Sequence, residues 1–477
     1  MDLTMADRPN ILLIQSDQHR YDCTGLGATA HGDAPHPGRL AQTPAIDRLG
    51  AEGVWFSHAF TSTPTCCPAR QSLLCGKWPE VHGGLWNYGT GIPEQLFDQP
   101  TWTQSLAASG YSLGYVGRWE VHPAKGPQEY GFSEWIEAKD YAAWRRQQGL
   151  PGYQHGADPW FGGRDPAPVE QSKTHWYADQ TISLIRRYSA EGRPWHIRLD
   201  FDEPHLPCYP AGRFAAMYAP EGIPPWGSFG EQFRSKPYIQ RQQLVTWGLE
   251  NLTWDDWRVF VARYLGVVSQ VDDAIGRVLA ALDGMGLAAA TLVIYTTDHG
   301  ENCGGHRMID KHYVMYDDVV HVPLVARWPG VIPGGMVCDE FVVHTLDLAS
   351  TICEAVGLRV PDDYQGRSLW PLLRGDTPAD WRQDAVSTYH GAQFGLYEQR
   401  MLRDREYKYV WNATDVDELY DLVRDPWELR NVANRPENAG VLRDMRQRLL
   451  AQLVEHGDGL VRTDWMRRQL AEGRKVI

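Results

Sequence analysis

The pattern of apolar and polar positions divides the chain into short buried strands, one long helix and two stretches of little order. Residues 10–16 (NILLIQS) form an apolar run of strand length, the pattern of a strand covered on both faces. Runs at 53–60 (GVWFSHAF), 111–117 (YSLGYVG), 196–201 (HIRLDF), 291–297 (TLVIYTT) and 322–328 predict further strands. Between 256 and 284, Val261, Tyr264, Leu265, Val268, Val271, Ile275, Val278, Leu279 and Leu282 recur at helical spacing. Shorter helices are predicted at 44–52, with Pro44 in the first turn, at 101–110 and at 346–356. Strands interleaved with helices predict an α/β fold: a large, mixed but mostly parallel central sheet flanked by helices.

Residues 120–180 are rich in Pro, Gly, Trp and Tyr and show little periodicity, which suits either a substrate-facing lid or plain surface elaboration. Residues 207–250 are again irregular. Beyond 361–383 the pattern changes. Alternating stretches at 384–390, 396–403 and 406–411, then a helix at 437–454, predict a short antiparallel sheet with a helix. The expected division is a main α/β domain over 1–375 and a smaller C-terminal α+β subdomain over 376–477.

Composition narrows the partners. With 43% hydrophobic and 22% charged residues, the chain has an ordinary globular make-up. Its net charge of −14 argues against nucleic acid or an anionic membrane as a partner. An anionic ligand must therefore find a local positive site. Eight cysteines, none in a C-x-x-C pair, predict neither a disulfide framework nor a zinc site, and point to a reducing compartment. The run Ile11–Ile14 is too short for a signal peptide or a membrane span, so a cytoplasmic location is expected. Twenty tryptophans leave open sugar or aryl platforms, core packing and contacts in a homo-oligomer.

The chemistry centres on Thr61-Ser-Thr-Pro-Thr-Cys-Cys-Pro-Ala-Arg-Gln-Ser-Leu-Leu-Cys-Gly76. Pro64 and Pro68 disfavour helix just before them, Pro68 suits a first helical turn, and Gly76 is a stop. Cys66 thus falls at or just before a helix N-terminus, where unsatisfied N–H groups favour an anion. Arg70 can point back over that turn. Asp17 and Asp298-His299 each follow a buried strand. If those strands are neighbours in a parallel sheet, the side chains converge at its carboxyl edge.

Cys-x-Pro-x-Arg followed by Leu-x-x-Gly resembles the signature of the type I sulfatases, of the alkaline phosphatase superfamily. The resemblance covers most of the chain. It includes Asp298-His299-Gly300, Gln365-Gly-Arg-Ser-Leu-Trp-Pro and Glu418-Leu-Tyr-Asp. It implies that a formylglycine-generating enzyme oxidises Cys66, not Cys67, to formylglycine, whose hydrate is the nucleophile toward a small anionic ester. It further implies one divalent metal on Asp17, Gln18, residue 66, Asp298 and His299. Oxygen ligands suit calcium, the first expectation, or magnesium, and the histidine admits manganese or zinc. Gln18 stands where many members have Asp. Arg70 and Lys311 would steady developing charge, His205 would protonate the leaving oxygen, and Asn87 could donate to an ester oxygen.

Residues 117–122 depart from the family. Sulfatases usually read Gly-Lys-Trp-His, whereas this chain has Gly117-Arg118-Trp119-Glu120-Val121-His122. Arg118 can replace Lys as an anion clamp, and His122, two residues on along the same strand face, is the expected substitute for the missing His. Phosphonate monoester hydrolases share the Cys motif and Asp-Gln and also lack the Lys/His pair. The resemblance therefore implies sulfate ester hydrolysis, with phosphonate monoester or phosphodiester hydrolysis as the alternative. An inactive anion-binding scaffold is the remote one.

Overall fold

The computed structural model describes residues 8–92 and 95–475. Its centre is an eight-stranded sheet. In chain order the strands are β1 (Asn10–Asp17), β2 (Val54–Phe56), β3 (Ser112–Gly117), β4 (Glu134–Ile136), β5 (Trp195–Pro204), β6 (Thr291–Thr297), β7 (Leu324–Arg327) and β8 (Met336–Cys338). In space they run β8-β2-β7-β6-β1-β5-β3-β4. Pairing is parallel except that β7 is antiparallel to both β6 and β2, so seven strands share one direction.

The side-chain alternation of β1 explains the layering. Ile11 and Leu13 pack into a core with Leu73, Trp102, Leu348 and Ile352, while Leu12 and Ile14 face Leu184, Val271, Ile275 and Val278. One face is thereby covered by helices α1 (Pro44–Ala51), α3 (Lys173–Ala190) and α4 (Trp254–Gly284). The other is covered by α2 (Cys66–Cys75), the helix Trp102–Ala108 and α5 (His344–Ala355). Both faces being buried, the strands need apolar runs, as β1 and β6 have.

Several predicted elements are revised. The run at 53–60 is two strands, β2 and Ala59–Phe60, because Ser57 and His58 turn between them. The stretch at 120–180, read as irregular, contains β4, the helix Ala138–Gln147 and the start of α3. The helix Tyr238–Thr246 lies in the second irregular stretch.

A separate antiparallel sheet comprises β9 (Ala385–Ala392), β10 (Gly395–Arg403), β11 (Tyr407–Asn412) and β12 (Glu418–Asp421), covered by α6 (Ala439–His456) through Leu442, Met445, Leu449 and Leu453. It is clamped onto the region around α2. Thr388 donates its backbone N–H to Ser62 O (2.8 Å). His390 lies between Glu80 (2.8 Å) and Glu398 (2.9 Å), with a carboxylate at each ring nitrogen. Burial opposes the charged ring and so does Arg400, yet Glu398 and Glu80 raise it to about 9. Among the described residues no helix is long and apolar enough to cross a membrane.

A histidine raised on folding adds stability that is full below its ordinary value and lost as pH rises through the folded one. Urea melts should therefore lose on the order of 2–3 kcal/mol between pH 6.5 and 9.5 through this ring. His390→Gln should be less stable at pH 6.5 and lack that slope.

Candidate active site

The site lies at the carboxyl ends of the parallel strands, where β1 delivers Asp17, β5 leads to His205 and β6 ends just before Asp298 and His299. The chain turns sharply after β1, with Gln18 at φ 68°. Cys66 opens α2, and all ten residues of that helix are buried. Its first turn lacks a side-chain cap from Thr65, and Asn87 Oδ1 instead accepts the Cys67 N–H (2.9 Å). Asn87 is thereby tied to the first turn of α2, next to Cys66.

Ligand atoms of Asp17, Cys66, Asp298 and His299 all lie within 4.8 Å of one another, and all four residues are buried. His299 Nδ1 is 2.9 Å from Gly300 O, so it carries the proton and donates it there. That leaves the Nε2 lone pair facing Cys66 Sγ at 3.1 Å. Burial lowers the pKa of this ring, which favours the neutral ligand form. Asp17 and Asp298 each give one oxygen, Oδ2, to Arg70 and turn the other toward the cluster. Two carboxylates, a neutral imidazole and the sulfur of residue 66 form a donor set that fits a divalent cation. Burial, then the charge of Asp17, pushes the Cys66 thiol far up, so the unmodified residue is a poor nucleophile.

Arg70 is the hub. Its guanidinium meets Asp17 (3.0 Å), Asp200 (2.9 Å) and Asp298 (3.0 Å), and the exposure of these four side chains is 0–1%. Burial would raise the Asp298 carboxyl, but His299 whenever it is protonated, and Arg70 and Lys311 at all times, hold it well below the usual range. Asp200 was not among the expected site residues. It sits two residues after Arg198 on one face of β5, and the two pair (2.9 Å). An opposite-charge pair inside an apolar strand run is the signal that would have found it.

Lys311 Nζ lies 3.0 Å from Gln18 Oε1, 3.2 Å from Asp310 Oδ1 and 3.2 Å from His205 Nε2. Gln18, expected as a metal ligand, thus directs its amide oxygen to Lys311. His205 Nδ1 meets Leu206 O (2.6 Å). Burial, then Lys311 and Arg118, hold His205 well below its ordinary value, so the ring is neutral.

Arg118 reaches Asp17 Oδ2 (3.3 Å) and pairs with Glu120. With His205 it lines a cavity of about 270 Å³ whose wall also carries Lys173, Glu203, Tyr153 and Tyr209. His122 does not lie on the strand face expected of it. β3 ends at Gly117 and Glu120 adopts φ 43°, so strand alternation does not carry to residue 122. His122 Nδ1 accepts the N–H groups of Ala124 (3.0 Å) and Lys125 (2.8 Å) and holds that turn.

The family model for sulfatases matches residues 9–358. The chain belongs to the sulfatase family. It is thus an enzyme of the sulfuric ester hydrolase class. A second model, the C-terminal region of N-sulphoglucosamine sulphohydrolase, matches residues 304–455 of this sulfatase. The multifunctional alkaline phosphatase superfamily protein PehA of Trinickia caryophylli is 28% identical, over 94% of this chain and 96% of its own. The N-acetylglucosamine-6-O-sulfatase of Bacteroides thetaiotaomicron is 26% identical over 94% of this chain and 86% of its own. The crystal structure of the phosphonate monoester hydrolase of Agrobacterium radiobacter superposes with a TM-score of 0.79 at 26% identity, covering 94% of this chain and 96% of the other.

Arg70→Ala would strand three buried carboxylates. It should destabilise the sulfatase by about 3–5 kcal/mol in urea melts and abolish activity, and Arg70→Lys, which cannot span three partners, should recover little of either.

Proposed function

We propose that this sulfatase hydrolyses small monoanionic sulfate esters, of aryl, alkyl or sugar alcohols, with residue 66 as nucleophile after oxidation of Cys66 to formylglycine. The observation that carries the reading is the buried convergence of Asp17, Cys66, Asp298 and His299 beside Arg70. Those four residues would hold a divalent cation, calcium first, with manganese, magnesium or zinc as alternatives. Gln18 would join them by exchanging its bond to Lys311. When bound, the cation supplies Lewis acidity at the ester oxygen and at the nucleophile.

The chain's own groups do the rest. Arg118 and Lys311 attract and orient the anion, and Asn87 donates to one of its oxygens. Arg70 keeps Asp17 and Asp298 aimed at the cluster. An anion beside Lys311 and Arg118 offsets the two charges that depress His205. Its Nε2 can then carry the proton that the departing alcohol oxygen needs. Maturation would require a formylglycine-generating enzyme. All eight cysteines are buried and free, which agrees with the cytoplasmic location inferred from cysteine usage.

Phosphonate monoester or phosphodiester hydrolysis is the second reading. Arg118 and Glu120, standing where sulfatases usually have Lys and His, favour it, as does the likeness to phosphonate monoester hydrolases.

Steady-state rates on 4-nitrophenyl sulfate, 4-nitrophenyl phenylphosphonate and bis(4-nitrophenyl) phosphate separate the two readings. Cys66→Ala should lose at least about 10³-fold on the favoured ester, and full turnover in that variant would end the proposal. His205→Ala should lose about 10²-fold or more with poor leaving groups and much less with 4-nitrophenolate. A chelator should remove activity, and added calcium should restore it.

A further inference from the structure

Glu120 occupies the position where sulfatases usually place a cationic or neutral histidine. The structure shows that it does not turn away. Trp119 on one side is buried edge-on against Tyr115 (5.2 Å) and donates its indole N–H to Lys125 O (2.8 Å). Val121 on the other side accepts the Gln71 Nε2–H (2.7 Å) with its carbonyl. Pinned between them, Glu120 takes a left-handed backbone conformation (φ 43°), which a residue with a Cβ adopts only under constraint. One carboxylate oxygen pairs with Arg118, and the other, Oε2, is shielded from solvent and has no donor. The carboxylate is therefore held at the anion clamp with an unanswered acceptor. Arg118 in turn reaches Asp17 Oδ2 (3.3 Å), a member of the cluster with Cys66, so the carboxylate and the cluster share one cation.

The electrostatic consequence depends on the charge of what binds. Arg70 is fully engaged with three carboxylates, and Lys311 already meets Asp310. Arg118 keeps 23% side-chain exposure and lines the cavity with His205, and Asp17 and Glu120 both draw on its charge before any ligand arrives. A sulfate ester carries one negative charge. The sulfate released from it carries two, as does a phosphate monoester above pH 7. All three present a similar tetrahedral face to Arg118. They differ in how strongly Glu120 repels them, and repulsion at this range in a partly buried site changes affinity by roughly tenfold or more per added charge.

We propose that Glu120 is a specificity-determining residue, a charge filter on Arg118 that admits monoanionic esters and disfavours dianions, both phosphate monoesters and the product sulfate. This rests on the reading of the site as an ester hydrolase of monoanions, and it adds a reason for the departure from the family at residue 120. The filter spends some attraction for substrate to keep product from occupying the site.

The test uses Glu120→Gln in the metal-loaded, formylglycine-bearing enzyme. Glutamine keeps an oxygen acceptor for Arg118 and nearly the same shape, so it removes the charge alone. The ratio of kcat/KM for 4-nitrophenyl phosphate to that for 4-nitrophenyl sulfate, at pH 8, should rise about tenfold or more. The inhibition constant of inorganic sulfate should fall by a similar factor relative to that of methyl sulfate. A residue that only positions Arg118 would move monoanions and dianions together, and unchanged ratios in both measurements would overturn the proposal. If the variant turns over too slowly for kinetics, titration calorimetry of sulfate against methyl sulfate on wild type and variant gives the same ratio without catalysis. Wild-type failure to hydrolyse any monoanionic ester would instead overturn the functional reading, while the binding ratio would still judge the filter.

Discussion

One guanidinium organises this site. Arg70 is fully buried and touches Asp17, Asp200 and Asp298, each on a different strand or strand end of the central sheet. Three buried carboxylates this close need a shared cation to offset their mutual repulsion. Each bond fixes one oxygen of Asp17 and of Asp298 and so leaves the other free for the cluster with Cys66 and His299. The metal-binding shape of the site is therefore set by an interaction that involves no metal. Because Arg70 lies one turn into α2, the same contact also sets the depth of the helix N-terminus and with it the position of residue 66.

The fold was legible because a buried parallel sheet demands apolar strands, and β1 and β6 are nearly continuous apolar runs, while β5 alternates Trp195, Ile197, Leu199 and Phe201 with polar residues. The long helix α4 was legible from its regular stripe. α3 was not, because its apolar face mixes Trp176, Tyr177 and Tyr188 with Thr181 and lies in a segment crowded with Pro and Gly. Strand β12, Glu418–Asp421, is too short to show alternation and stood out only as part of a family motif.

The meeting of the candidate residues was legible, and their individual contacts less so. Asp17, Asp298 and His299 come together as strand ends in one sheet require, and the first turn of α2 brings Cys66 to them. His122 was misplaced because a strand was extended past Gly117, where Glu120's left-handed backbone ends the alternation. Asp200 escaped notice because a charged residue inside a strand has no motif, only a partner. Gln18 and Lys311 show how a residue type can be placed correctly and yet spend its polar atoms on a neighbour.

The partners in this site are far apart along the chain. Cys66 meets His299 across 233 positions, and Gln18 meets Lys311 across 293. Such contacts close late, after long stretches have been ordered. A ribosome that has released residue 66 has yet to make the groups that will enclose it. For that interval the thiol stands open to macromolecules that the finished protein, with Cys66 1% exposed, excludes. Any enzyme that alters this side chain would therefore have to act before β6 takes its place beside β1.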